Sequence, residues 1–154
     1  MSPDRLLRAW RSLAERPGGR WLFARLLGWF VPYTGSIGAR VESLEPGNVT
    51  VSLRDRRAVR NHLGSVHAIA LANLAEVTSG LAMLSAIDPG VRGIPTSIRI
   101  EFLKKARGRL IATSCVTPPT VSEPINADVT AHIADAGGET VATAVVTWRL
   151  SPIQ

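Results

Sequence analysis

The chain has 154 residues, 45% of them hydrophobic and 19% charged, a composition that excludes disorder and supplies the core of one domain rather than two. A single cysteine, Cys115, excludes an internal disulfide and a cysteine zinc cluster, and points to a reducing, cytoplasmic setting. The formal net charge of +6 favours an anionic partner: a phosphorylated ligand, nucleic acid or a membrane surface.

Ser2-Pro3-Asp4 reads as a helix N-cap, first position and acidic first turn. Leu6, Leu7, Trp10, Leu13 and Ala14 follow at helical spacing until Pro17-Gly18-Gly19. Arg5, Arg8 and Arg11 interrupt the apolar run that a signal peptide needs. A second helix is expected over about 20–30, with Pro32 closing it. The first 31 residues hold six arginines against two acids and three of the four tryptophans. This arm is expected to pack on the outside of the domain or on a neighbouring subunit, with peripheral membrane contact as a second reading.

Ile37, Ala39 and Val41, then Val49, Val51 and Leu53, alternate around the turn Glu45-Pro46-Gly47-Asn48 and predict a hairpin. A basic loop, Arg54 to Arg60, leads into an apolar segment over residues 65–87 that Asp88-Pro89-Gly90 terminates. This segment predicts one long helix carrying a single acidic residue, Glu76. Its length would let it cross a membrane. Its Ala, Ser, Asn and Gly content argues against that, as does a central carboxylate costing on the order of 3 kcal/mol there. Ile98, Ile100 and Phe102 alternate in the next strand, which ends at the basic run Lys104, Lys105, Arg107 and Arg109. Residues 109–117, 125–133 and 140–150 read as three more strands, with Asp135 to Glu139 as a hairpin loop. Cys115 is expected in the core of the first of these.

A helix without a polar face must be enclosed. The expected architecture is therefore α+β: a strongly curved antiparallel sheet of about six strands wrapped around the long helix, with a helical arm over 1–34 and the main domain over 35–154.

Asn61-His62-Leu63-Gly64-Ser65-Val66-His67-Ala68, with Glu76 eight residues on, resembles the active-site segment of hotdog-fold acyl-CoA thioesterases of the phenylacetate-pathway and THEM-like kind. The resemblance covers roughly residues 37–150 and includes the run Ile100-Glu101-Phe102-Leu103-Lys104-Lys105-Ala106-Arg107-Gly108. The arm lies outside it and resembles that of an uncharacterised hotdog subgroup. The resemblance implies a hotdog fold and hydrolysis of an acyl-CoA or related thioester. Glu76 would be the general base or nucleophile, the Ala68 N–H the donor to the thioester carbonyl, and Asn61 a group orienting water or carbonyl, with His67 at the helix start beside them. His62, Gly64, Thr96 and Ser97 would line the substrate. Lys104, Lys105, Arg107 and Arg109 would meet the phosphates of coenzyme A, present as part of the substrate and not as a cofactor. The sequence departs from the family where Gly-Gly becomes Ala68-Ile69. The N–H survives that change, but the side chains narrow the space beside the thioester. A non-catalytic domain that binds acyl-CoA or fatty acyl groups is the alternative.

Independently of the resemblance, the first turn of a long helix offers unpaired N–H groups and the positive end of the dipole to a developing oxyanion. Eight residues separate Ala68 from Glu76, about 12 Å along the axis. Both groups reach one carbonyl carbon only if they come from two chains, so a homodimer is expected, with a tetramer as the larger assembly. Ser79, one turn after Glu76, is expected on a buried small-residue face. No His, Cys and carboxylate cluster has metal-ligand spacing. Helix-turn-helix, finger and stacking-strand patterns are absent, so nucleic acid is not expected as partner.

Overall fold

The computed structural model describes residues 2–153. Three helices open the chain: α1 (Pro3–Ala14), α2 (Gly19–Phe30) and α3 (Pro32–Ser36). Then come β1 (Arg40–Glu45), β2 (Asn48–Leu53), a short 3-10 turn, α4 (Ala68–Ala86), β3 (Val91–Phe102), β4 (Leu110–Cys115), β5 (Ile125–Ala134) and β6 (Thr140–Pro152). The six strands form one antiparallel sheet in the order β1-β2-β4-β5-β6-β3.

The sheet curls around α4, which packs against all six strands. Ala, Gly and Ser recur along this helix, so the strands approach closely, while Leu71, Leu74, Leu81 and Met83 fill the space between. It is the one helix long and apolar enough to cross a membrane among the described residues, yet it is the core helix of the domain.

Two expected boundaries and one burial expectation shift. The long helix begins at Ala68, not at residue 65, because His67 takes an extended conformation and caps it: its ring Nδ1 accepts from the Ile69 N–H at 3.1 Å. Pro32 opens a helix rather than only closing one, since its fixed φ suits a first helical position. Cys115 is exposed, not core. Leu110, Ala112 and Ser114 take the inward positions of β4, so the alternation turns Cys115 outward. At the chain start, Ser2 serves α1 through its carbonyl, which accepts from the Arg5 and Leu6 N–H groups, and not through its side chain.

The arm is joined to this core rather than laid over it. Leu6, Trp10 and Phe23 belong to the same buried cluster as Val41, Val51, Leu74 and Val77, and the Trp10 and Phe23 rings meet edge to face at 5.1 Å. Asn73 of α4 donates from Nδ2 to the Tyr33 carbonyl, a further tie between helix and arm. Trp10→Ala should therefore cost about 3–5 kcal/mol in denaturant unfolding, as for a core aromatic. A loss below about 1 kcal/mol would mean that the arm only rests on the surface.

Candidate active site

Of the 19 residues of α4, only Ala68, Ile69, Ala72, Glu76, Leu84 and Ala86 escape full burial. Ala68, Ala72, Glu76, Gly80 and Leu84 share one row at four-residue spacing. All of this row but Gly80 escapes full burial, and Glu76 stands in the middle of it. Gly80, the next position, is covered by the Trp148 ring of β6: a Cβ there would lie 3.1 Å from Trp148 Cη2 and 3.9 Å from Glu76 Oε1. The carboxylate and the indole thus share the space that the missing side chain leaves.

Glu76 is half-buried, and its carboxylate has no hydrogen bond or ion pair among the described residues. Burial alone pushes its pKa above the ordinary value of 4.5. Ser79 does not relieve it. Its hydroxyl donates to the Glu76 backbone carbonyl at 3.0 Å, within the buried small-residue face. Trp148 was not among the residues that the sequence singled out. Its Nε1 is buried without a partner among the described residues. Alternation in β6 predicts that Trp148 points inward, but only the pairing of β6 beside β3 brings it over Gly80.

The loop before α4 is held from within. Asn61 Oδ1 accepts from the Leu63 N–H at 3.0 Å, the Ser65 N–H at 3.2 Å and the Ser65 hydroxyl at 3.2 Å. Its oxygen is therefore committed to the loop, and only its amide N–H groups remain to meet a ligand. Gly64 takes a φ of +69°, the left-handed turn that this loop requires. His62 and His67 are exposed, and the His67 ring is engaged in capping. The Ala68 N–H has no acceptor among the described residues, as the first position of a helix leaves it. Ile69 beside it is 56% exposed.

The basic run after β3 folds against this loop: the Val66 N–H donates to the Ala106 carbonyl at 2.9 Å, and the Gly108 N–H to Asp55 Oδ2 at 2.9 Å. Two of its four cations are already neutralised. Lys104 pairs with Asp135 at 2.7 Å and with Glu139, and Arg109 pairs with Glu42 at 2.8 Å. Lys105 and Arg107 form no ion pair among the described residues and stand exposed at the surface. Thr96 and Ser97 lie at a bulge of β3, both exposed, with the Thr96 hydroxyl donating to the Thr147 carbonyl at 3.2 Å. Among the described residues no group of three His, Cys, Asp or Glu side chains could hold a metal ion.

The structure thus brings residues 61–68 together with Lys105 and Arg107 at one end of α4. Glu76 and Trp148 lie elsewhere along the helix, two turns from Ala68.

A family model described as a domain of unknown function, DUF4442, matches residues 19–150. No curated protein matches the chain. Among solved structures, a structural-genomics protein superposes with a TM-score of 0.82 at 30% identity, over 97% of this chain and 98% of its own. A Pseudomonas aeruginosa protein of unknown function, PA5026, gives 0.76 at 23% identity over 84% and 93%. A thioesterase family protein from Silicibacter pomeroyi gives 0.68 at 23% identity over 84% and 96%. The fold is the hotdog fold, shared with the thioesterase family protein from Silicibacter pomeroyi.

The raised pKa of Glu76 has a consequence for stability. Its proton is held more tightly in the folded chain than in the unfolded one, so stability is present at low pH and lost as pH rises from 4.5 through the raised folded value. Thermal unfolding of Glu76→Gln should match the wild type below pH 4.5 and exceed it at pH 7. An advantage that grows as pH falls would show instead that the carboxylate is favourably partnered.

Proposed function

The chain belongs to the DUF4442 family, and from that premise, together with its hotdog fold, we propose that it hydrolyses an acyl-CoA or related thioester. The observation that carries this reading is Glu76: a half-buried carboxylate, without a partner among the described residues, in the gap that the sheet leaves along α4. A desolvated carboxylate is a stronger base than one in water. Proteins rarely keep one without use. Likeness in fold to a thioesterase family protein supports the same chemistry.

Glu76 takes a proton from water as the water oxygen attacks the thioester carbonyl carbon. The carbonyl oxygen, gaining charge, accepts from the Ala68 N–H of the partner subunit. The tetrahedral intermediate then collapses with cleavage of the C–S bond, and the proton passes from Glu76 to the leaving sulfur. Acid and thiol are the products. Direct attack by the Glu76 carboxylate, followed by hydrolysis of the resulting anhydride, uses the same groups. Lys105 and Arg107 are the cations best placed for the coenzyme phosphates, because they are not neutralised by carboxylates.

The homodimer follows from the separation of Glu76 and Ala68. A bare sheet edge supports it. β3 has 12 residues, only Val91 of them buried, and its outer edge pairs with no strand among the described residues. Ile98 and Phe102 on that strand, and Ile69 at the helix start, are left open to water, as a subunit boundary would require.

A panel of acyl-CoAs assayed by thiol release tests the reaction. Glu76→Ala and Glu76→Gln should lower kcat by about 10²–10⁴-fold, the range of a general base, and the wild-type rate should fall as pH drops through the raised Glu76 pKa. Equal rates in all three proteins would sink the catalytic role. The Ile69 side chain beside the oxyanion position favours a second reading, an acyl-CoA binding protein without turnover. Retained binding with no thiol release in the wild type would establish that one.

Shared sites have their own test. Ala68→Pro removes the N–H at a first helical position, where proline is tolerated and where His67 already has the extended conformation that precedes proline. Ala68→Pro and Glu76→Ala should each be inactive alone. Co-expressed, they should regain activity, since one site of the heterodimer then holds both groups. Absence of recovery would place both groups in one subunit.

A further inference from the structure

A concavity of the molecule lies away from Glu76. It is a groove of about 1290 Å³ at the β1 edge, between the α2–α3 arm and the Arg54–Arg60 loop. Six arginines line it against two carboxylates. Both carboxylates are already satisfied. Glu42 is held by Arg20 at 3.3 Å and Arg109 at 2.8 Å, and Asp55 by Arg60 at 2.5 Å. Arg25, Arg40, Arg54 and Arg56 remain without an ion pair among the described residues.

The rim of this groove is aromatic and faces water. Trp21, Arg25 and Trp29 form one row of α2 at four-residue spacing, and Leu22, Leu26 and Phe30 form the adjacent row. All six are exposed: Trp29 at 76%, Trp21 at 61% and Phe30 at 62%. The other side of the helix, with Phe23 and Leu27, is the one that packs on the domain. Arg25 lies 5.7 Å over the Trp21 ring, and Tyr33 of α3 extends the exposed surface. An α-helix apolar on both faces, one seated in the core and the other in water, wants a second apolar environment.

We propose that this surface docks the protein on a bilayer containing anionic phospholipids. The outward rows of α2 would lie in the interface plane, with Trp21, Trp29 and Tyr33 at headgroup depth. The unpaired arginines of the groove would take the lipid phosphates beside them. Charge decides against a second copy of the chain as occupant. A two-fold contact through this face would set the unpaired arginines of one copy close to those of the other, with the nearby carboxylates already engaged. A lipid surface supplies the apolar phase and the anions together. The inference stands apart from the thioesterase reading, since none of its residues acts on the thioester.

Vesicle co-sedimentation and tryptophan fluorescence of the full chain test it, with phosphatidylcholine vesicles compared to vesicles that also contain phosphatidylglycerol. Trp10 and Trp148 are buried, so an emission shift reports on Trp21 and Trp29. The mixed vesicles should bind the protein and shift its emission to the blue, and added salt should weaken the binding. Arg25→Gln and Arg54→Gln should each lower partitioning about fivefold. Trp29→Ala should reduce both binding and the shift, with thermal unfolding unchanged in all three variants. Equal binding to neutral and anionic vesicles would overturn the proposal. So would binding of inorganic phosphate or free coenzyme A by the groove with no vesicle binding, which would assign it to a soluble anion. So would an oligomer that Trp29→Ala dissociates with no vesicle binding, which would assign the face to a second copy.

Discussion

The enclosure of α4 is the constraint on which the rest of the structure depends. A helix apolar in nearly every direction cannot lie on a sheet as an ordinary amphipathic helix does, because half of its surface would remain in water. Six strands solve this by curling until each one touches it. The curvature has consequences at both ends of the strand order. At one end β1 is braced by α2, so the arm becomes part of the core. At the other end β3 leaves its outer edge without a partner strand among the described residues. The wrapping is incomplete along one row of the helix, and Glu76 is the half-buried carboxylate in that row.

Two half-buried glutamates show how neighbours decide what burial does. Burial alone would raise the pKa of both. At Glu42 the effect is outweighed by the Ser52 hydroxyl at 2.6 Å and the Arg109 guanidinium, with Arg40 adding to the field, and its pKa is lowered. At Glu76 nothing opposes burial, and the pKa is raised. The first is a structural anion that ties the arm, β1 and the start of β4 together. The second weakens the fold whenever it is ionised. A chain with 18 Lys and Arg residues had cations to place beside Glu76. Leaving it bare is the arrangement expected of a base and not of a structural ion pair.

Most of the architecture was legible in the sequence because it is carried by period. Alternation in residues 125–133 and 140–150 marks strands whose inward faces are the core, and the lack of any polar face on the long helix implies a sheet bent around it. The candidate site was read from the sequence as a chain segment, residues 61–68 with Glu76 eight positions on. What lay beyond reach depends on contacts between distant residues. Nothing near Lys104 shows that Asp135 and Glu139 will neutralise it, or that Glu42 will meet Arg109 across 67 positions. Trp148 lies over Gly80 only because β6 and β3 close the sheet at that edge. His67 reads equally as ligand contact and as cap until the backbone is seen to turn there. Cys115 was misplaced by reading an apolar run as buried throughout, where β4 in fact alternates.

The arm joins the two ends of the molecule's chemistry by dividing its own residues between them. Phe23 and Leu27 on the inward side of α2 pack against the domain, and Gly28 and Gly35 approach until a Cβ on either would press on the other's backbone. That contact sets the turn from α2 into α3 and brings Tyr33 over Asn73, one turn before Glu76 on α4. The outward rows make none of these contacts. Their apolar character adds nothing to the core and exposes aromatic surface, which selection for solubility alone would replace with polar residues. The inward side therefore answers to folding and the outward side to something outside the chain. This separation lets the surface of α2 change while the helix that carries Glu76 stays as it is.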